Sequence, residues 1–266
     1  MRRCVKIADT LCCDTTFRLE SKRRTVTAPL YLFDPGPPGK QPMATRDTIV
    51  IGASAGGVQA LYKLVSALPA NLPAAVFIVL HIPSNVPSLL PEILSRESRL
   101  TVAHAIDGEL IQKGRVYIAP PDRHLLIEDS HIKLVHGPKE NFHRPSIDAL
   151  FRSAARWAGP RVIGTVLTGA RHDGAIGMRA IKQRGGIAIV QDPLEAPFPS
   201  MPLSVMQGIK VDYSIPLDEI APLLDQLTRE TAEEEGRSPV PDEVEIDPEL
   251  PNKEWKAKNC WQVSRR

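Results

Sequence analysis

A serine interrupts the glycine-rich turn in "TIVIGASAGGVQAL" (residues 48–61), where an apolar β-type run passes through small residues into a helical pattern. Two kinds of chemistry use such a turn. Backbone N–H groups at a helix start can cradle phosphate, whereas a serine on a sharp strand-to-helix turn can act as a nucleophile. A dinucleotide fingerprint needs glycine at the middle of G-x-G-x-x-G, so that the backbone can approach the pyrophosphate. Gly52 and Gly57 fit its outer glycines, but Ser54 stands in the middle and His81, not an acid, follows the next strand-like run. No Gly-Lys-Ser/Thr follows, which removes the P-loop. Nucleotide binding is disfavoured. Gly52-Ala53-Ser54-Ala55-Gly56 does match G-x-S-x-G, and that motif leaves two readings open: a nucleophile, or a cap for the helix that follows.

The partners weigh on that choice. An α/β-hydrolase orders its triad Ser, acid, His, but every histidine here lies at or before position 172. His81 instead ends the second apolar run, "AVFIVL", as Ser54 follows the first. A third run ends in "VLTGARHDGAIGM" (166–178), again a small, glycine-rich turn, and carries Asp173. Asp173 reads either as a helix N-cap or as the acceptor of the His81 Nδ1 proton, fixing the ring for catalysis. Sites in open α/β sheets form beyond the carboxyl ends of the strands. Ser, His and Asp at three such ends make a catalytic triad the sharper reading.

The elements that must position them alternate. Apolar runs at 48–52, 75–80, 161–167 and 187–191 are short, β-branched and unbroken, as strands buried on both faces of a parallel sheet are. Helical spacing joins Val58, Leu61, Leu64, Val65 and Leu68, and again Ile147, Leu150, Phe151, Ala154 and Trp157. Residues 115–135 read as strands joined by tight turns, a hairpin inserted in the pattern. The expected fold is α/β, a doubly wound, mostly parallel sheet with an antiparallel hairpin excursion.

The chain has 266 residues and a formal net charge of +2, which demands no nucleic acid partner. No apolar run approaches the ~20 residues of a membrane helix, and the start lacks a signal-peptide layout. Cys4, Cys12, Cys13 and Cys260 lie in the outer ends, so the core has neither a disulfide frame nor a thiolate metal site, a cytoplasmic pattern. Residues 1–45 read as a disordered tail and linker ending in "FDPGPPGKQPMATRD", 46–228 as the folded domain, and 229–266 as an acidic then basic tail. Trp255 and Trp261 in the last segment have the form of a short docking peptide, although a disordered terminus is the plainer reading.

Five motifs now fall in order: "IGASAGG", "LHIP", "YIAPPDRHL", "HRPSIDALF" and "LTGARHDGAIGM". In order and spacing they resemble the bacterial chemotaxis receptor methylesterases, the CheB-type protein-glutamate methylesterases, over roughly residues 46–228. The resemblance implies about seven strands in the sheet and a catalytic triad of Ser54, His81 and Asp173. It implies hydrolysis of glutamate γ-methyl esters on chemoreceptor helices, with glutamine deamidation as a second activity and no metal or cofactor. The implied partners are methylated chemoreceptor cytoplasmic helices, with a receptor methyltransferase or a separate receiver protein as further ones. Main-chain N–H groups at Ala55, Gly56 and Ala170 are the oxyanion-hole candidates, and Arg144 and Arg171 the candidate contacts for acidic receptor helices. Ser146 and Asp148 in "RPSID" read as helix-starting residues. The chain departs from the family at Ala55, where threonine is usual, and at Ala170-Arg171-His172, where Met-Gly-Asn is common. The family's receiver domain is expected to be missing, since the first 47 residues show no βα repeat. Two rivals stand beside the esterase: a non-catalytic scaffold of the same fold, and a small-molecule serine esterase.

Overall fold

The computed structural model describes residues 45–82 and 86–231; the expectations for the two tails lie outside the described residues. The chain enters at β1 (Thr48–Ala53), turns into α1 (Gly57–Ala67) and returns as β2 (Ala75–Leu80). A short α2 (Leu90–Leu94) leads to β3 (Thr101–His104) and β4 (Arg115–Ile118), then to β5 (His124–Glu128) and β6 (His131–Val135). The second half alternates α3 (Ile147–Ala158), β7 (Val162–Val166), α4 (Ala175–Gln183), β8 (Ile187–Gln191), α5 (Ser200–Gly208), β9 (Tyr213–Ile215) and α6 (Leu217–Arg229).

Seven strands form one sheet in the order β3-β4-β2-β1-β7-β8-β9, and every pairing in it is parallel. Residues 48–53 and 75–80 are buried throughout, because helices cover both faces. Alternate residues supply two cores. Ile49, Ile51, Val76 and Ile78 pack with α1, α2 and α6. Val50, Phe77, Val79 and Val166 pack with α3, α4, α5 and the β5–β6 hairpin. From β1 the chain builds outward on one side through β2 and later on the other through β7. The switch point therefore lies at β1, where a crevice opens beyond the strand ends.

The α/β doubly wound sheet with its antiparallel hairpin is as the sequence leads one to expect, with one correction. Arg115–Ile118 belongs to the parallel sheet, paired with β2 and β3, so the excursion is only β5–β6. Val116, Tyr117 and Ile118 are buried, and burial on both faces is what the main sheet provides.

Candidate active site

β1 ends at Ala53, in register with Leu80 of β2. One residue on, the His81 N–H donates to the Ala53 carbonyl at 3.2 Å, and the Ser54 N–H donates to the Thr168 carbonyl beyond β7 at 3.0 Å. Ser54 thus sits at the end of the central strand, flanked by the ends of both neighbours. Its backbone is pinned on one side by the turn after β7, and the Gly57 N–H closes the turn onto the Ser54 carbonyl at 2.8 Å. The α1 N-cap is Gly56, in the left-handed region at φ 74°, and no side chain caps it. Ser54 therefore does not serve as a helix cap.

The structure brings His81 and Asp173 together. His81 Nε2 lies 2.8 Å from Asp173 Oδ2, and their side chains are 4% and 1% exposed. Burial pushes the Asp173 carboxyl up, but the hydrogen bond and charge of His81, then the Ile147 N–H and Asn141, outweigh it and hold it well below the usual carboxylate range. An ionised Asp173 can only accept, so Nε2 carries a proton, and in the neutral ring Nδ1 is the nitrogen with the lone pair. Among the described residues Nδ1 is buried without a partner. This corrects the expectation that Nδ1 faces the aspartate: the ring is turned the other way, because Asp173 meets the far nitrogen. His143 lies over the ring, with centroids 3.6 Å apart and planes 5° apart. Burial, then the neighbouring His81, pushes His143 down to about 4, so it is a neutral plate near pH 7.

Asp173 is held from several sides. Oδ1 accepts from the Ser146 hydroxyl at 3.0 Å, the Asp148 N–H at 3.1 Å, the Gly174 N–H at 3.0 Å and Asn141 Nδ2 at 2.8 Å. Oδ2 takes the Ile147 N–H at 2.8 Å beside His81. The sequence marks Ser146 and Asp148 only as helix-starting residues. Both do lie at the start of α3, but Ser146 spends its hydroxyl on Asp173 and Asp148 reaches across to α4.

Ala55, Gly56 and Ala170 flank Ser54 on the two turns that meet there, and among the described residues their N–H groups donate to no protein acceptor. Thr168 braces the pair of turns: its hydroxyl donates to the Ala55 carbonyl at 3.1 Å and accepts the Phe198 N–H at 3.0 Å. Gly169 permits their close approach, since a Cβ there would run into the Met201 sulfur and stand 3.0 Å from the Ser54 Cβ. Arg171 is exposed at φ 71° and lies over the Phe142 ring at 5.1 Å. Arg144 is engaged within the fold: its Nε and Nη2 donate to Asp122 Oδ1 at 2.9 and 2.6 Å and its Nη1 to the Gly137 carbonyl.

Sequence reasoning misses Thr168, Asn141, His143 and Gly169 as site residues. "HRPSID" stands out for its order among the motifs, but nothing in its spacing says that His143 stacks on His81. Among the described residues no group of three or more His, Cys, Asp or Glu side chains could hold a metal ion. No helix among them is long and apolar enough to cross a membrane. A cavity of about 450 Å³ lies between the hairpin and α3, lined by His124, Leu126 and Trp157 among others. It touches none of Ser54, His81 and Asp173, so it is not where this chemistry would occur.

Comparison with known proteins agrees with this architecture. Residues 49–224 match the family model described as CheB methylesterase. A Leptospira interrogans relative is 40% identical over 189 residues, which are 71% of this chain and 98% of that protein. A Methanosarcina mazei protein named protein-glutamate methylesterase/protein-glutamine glutaminase 2 is 40% identical, over 71% of this chain and 54% of its own. The chain thus spans nearly all of one relative and about half of the other. The crystal structure of the Thermotoga maritima CheB methylesterase catalytic domain superposes with a TM-score of 0.66 at 34% identity, over 69% of this chain and all of that one. On the family match and the shared fold, this chain belongs to the CheB methylesterase family.

Proposed function

We propose that the chain hydrolyses glutamate γ-methyl esters on the cytoplasmic helices of chemoreceptors, in chemotaxis-type signalling, with Ser54 as nucleophile, His81 as base and Asp173 as its orienting acid. The observation that carries this reading is the buried His81–Asp173 pair at the end of the strand beside Ser54, with Nδ1 without a partner among the described residues. The names of the relatives support the substrate class.

The chemistry follows from the ring orientation. His81 Nδ1 takes the proton as Ser54 Oγ attacks the ester carbonyl, while Asp173 stabilises the imidazolium through Nε2–H. The N–H groups of Ala55, Gly56 and Ala170 are the donors available for the tetrahedral oxyanion. Collapse breaks the C–OCH3 bond, methanol leaves with the proton from His81, and water then hydrolyses the acyl-serine by the same path. Glutamine deamidation would run identically, with ammonia as the leaving group.

The test is methanol release from a methylated receptor fragment beside turnover of a small reporter ester. Release that disappears in Ser54→Ala protein supports the proposal. Hydrolysis of the reporter alone would make this a small-molecule esterase, and no hydrolysis of either would leave a scaffold.

A further inference from the structure

Asp148 is the buried carboxylate that the reaction above does not use. It is 1% exposed, and among the described residues it makes no ion pair. Its Oδ1 accepts the N–H groups of Gly174 at 3.1 Å and Gly177 at 2.6 Å, at the start of α4. Asp173, just before α4, in turn takes the N–H groups of Ile147 and Asp148 at the start of α3. Each carboxylate therefore accepts N–H groups at the start of the other's helix, with Gly174 sharing its N–H between both acids, and the helix dipole also favours an anion there. The helices are close enough for this because residue 177 is glycine: a Cβ there would stand 3.1 Å from the Asp148 Cα and closer still to Phe151.

One amide joins the two acids. Asn141 Nδ2 donates to Asp148 Oδ2 and to Asp173 Oδ1, each at 2.8 Å. An NH2 group has two hydrogens, and both are spent here. The arrangement works only if 148 and 173 both present acceptors. We propose that Asp148 is a positioning residue: through Asn141 and the Gly174 and Gly177 amides, it fixes the orientation in which Asp173 accepts the hydrogen bond from His81 Nε2–H. The proposal rests on the Ser54–His81–Asp173 reading for its effect on turnover.

Asp148→Asn would break this bridge. The oxygen of the new amide must face Gly174 and Gly177, so its NH2 would face the Asn141 NH2, donor against donor. Turning Asn141 over relieves that contact but sets its oxygen against Asp173 Oδ1. Neither state keeps the bridge, and Asp173 loses one of the donors that hold it. Protonating Asp148 on Oδ2 has the same consequence. Burial, then the charge of Asp173, pushes the Asp148 carboxyl up to about 6. The charged groups around it are Asp173 on the α4 side, Arg152 one turn along α3, and Glu140, which pairs with Arg152 at 2.6 Å.

The experiment compares wild type, Asp148→Asn and Asn141→Ala in kcat, KM and pH profile, with the His81 imidazole nitrogens followed by NMR. Both variants should lower kcat on the methyl ester by about 10–100-fold, as a small misplacement of a catalytic group does. KM should stay within about twofold, because substrate contacts are untouched. The acid limb of Asp148→Asn should lose one ionisation, and the His81 Nε2–H resonance should move in both variants. A folded Asp148→Asn protein with the wild-type kcat, acid limb and Nε2–H resonance would overturn the proposal. Should that variant fail to fold, Asn141→Ala decides by kcat and the resonance, since it alters neither helix. If wild type releases no methanol, the esterase reading fails, and the Nε2–H comparison alone decides the positioning role.

Discussion

His81 and His143 lie ring on ring, 3.6 Å between centroids and 5° from parallel, and only one of them bonds to Asp173. Burial disfavours a charge on His143, and two imidazolium rings stacked so closely would repel, which is why His143 is pushed down to about 4. Its ordinary value is 6.5. Between these values the unfolded chain binds a proton there that the native chain refuses. Stability from this residue is thus complete above pH 6.5 and falls as the pH drops toward 4. His143→Phe keeps a flat ring over His81 and removes the titration. Its melting temperature should fall less than that of wild type between about pH 7.5 and about pH 5, and thermal melts at both values check this.

Ser54→Ala should abolish ester hydrolysis and leave the fold unharmed. The α1 N-cap is Gly56 without side-chain help, so the Ser54 hydroxyl contributes no cap, and the stability change should stay within about 0.5 kcal/mol. His81→Gln should be comparably inactive, because residues acting as a unit fail together. Initial rates and thermal melts on the same preparations separate lost chemistry from lost structure.

Much of this is legible in the chain itself. Unbroken β-branched runs that end at Ser54, at His81 and before Asp173 mark three strand ends, and the sheet sets β2, β1 and β7 side by side. The short edge strands β3 and β9 are not legible. Thr101–His104 is at most partly buried, and Tyr213–Ile215 spans three residues with the same incomplete burial. Strands this short and half-exposed carry little pattern to read. The ring orientation of His81, the His143 stack and the Asn141 bridge are also out of reach. They depend on a loop with Asn141 and Phe142 at φ 50° and 69°, and no periodicity reports such a conformation.

Gly169→Ala tests how tightly the two turns meet. The added Cβ would press on the Met201 sulfur and stand 3.0 Å from the Ser54 Cβ. Overpacking of that kind costs about 1–3 kcal/mol. Because the strain falls on the turn that carries Ser54, kcat should drop with it, whereas a purely structural glycine would lose stability alone. Denaturant melts and initial rates distinguish the two outcomes.

The two arginines singled out from the sequence should now behave differently. Arg144 is 14% exposed in its side chain and pairs with Asp122, and it also holds the Gly137 carbonyl. Arg144→Ala leaves those acceptors without their donor, so it should lower the melting temperature. Arg171 is exposed on the turn between Ala170 and Asp173, with Phe142 beneath it, and no described carboxylate claims it. Arg171→Ala should barely change stability, within about 0.5 kcal/mol as for most surface substitutions. On an acidic methylated receptor fragment it should raise KM, and the effect should shrink as salt screens the attraction. On a small neutral ester, which offers no acidic helix, kcat and KM should match wild type. A KM on the receptor fragment that ignores both the substitution and the salt would remove Arg171 from substrate recognition.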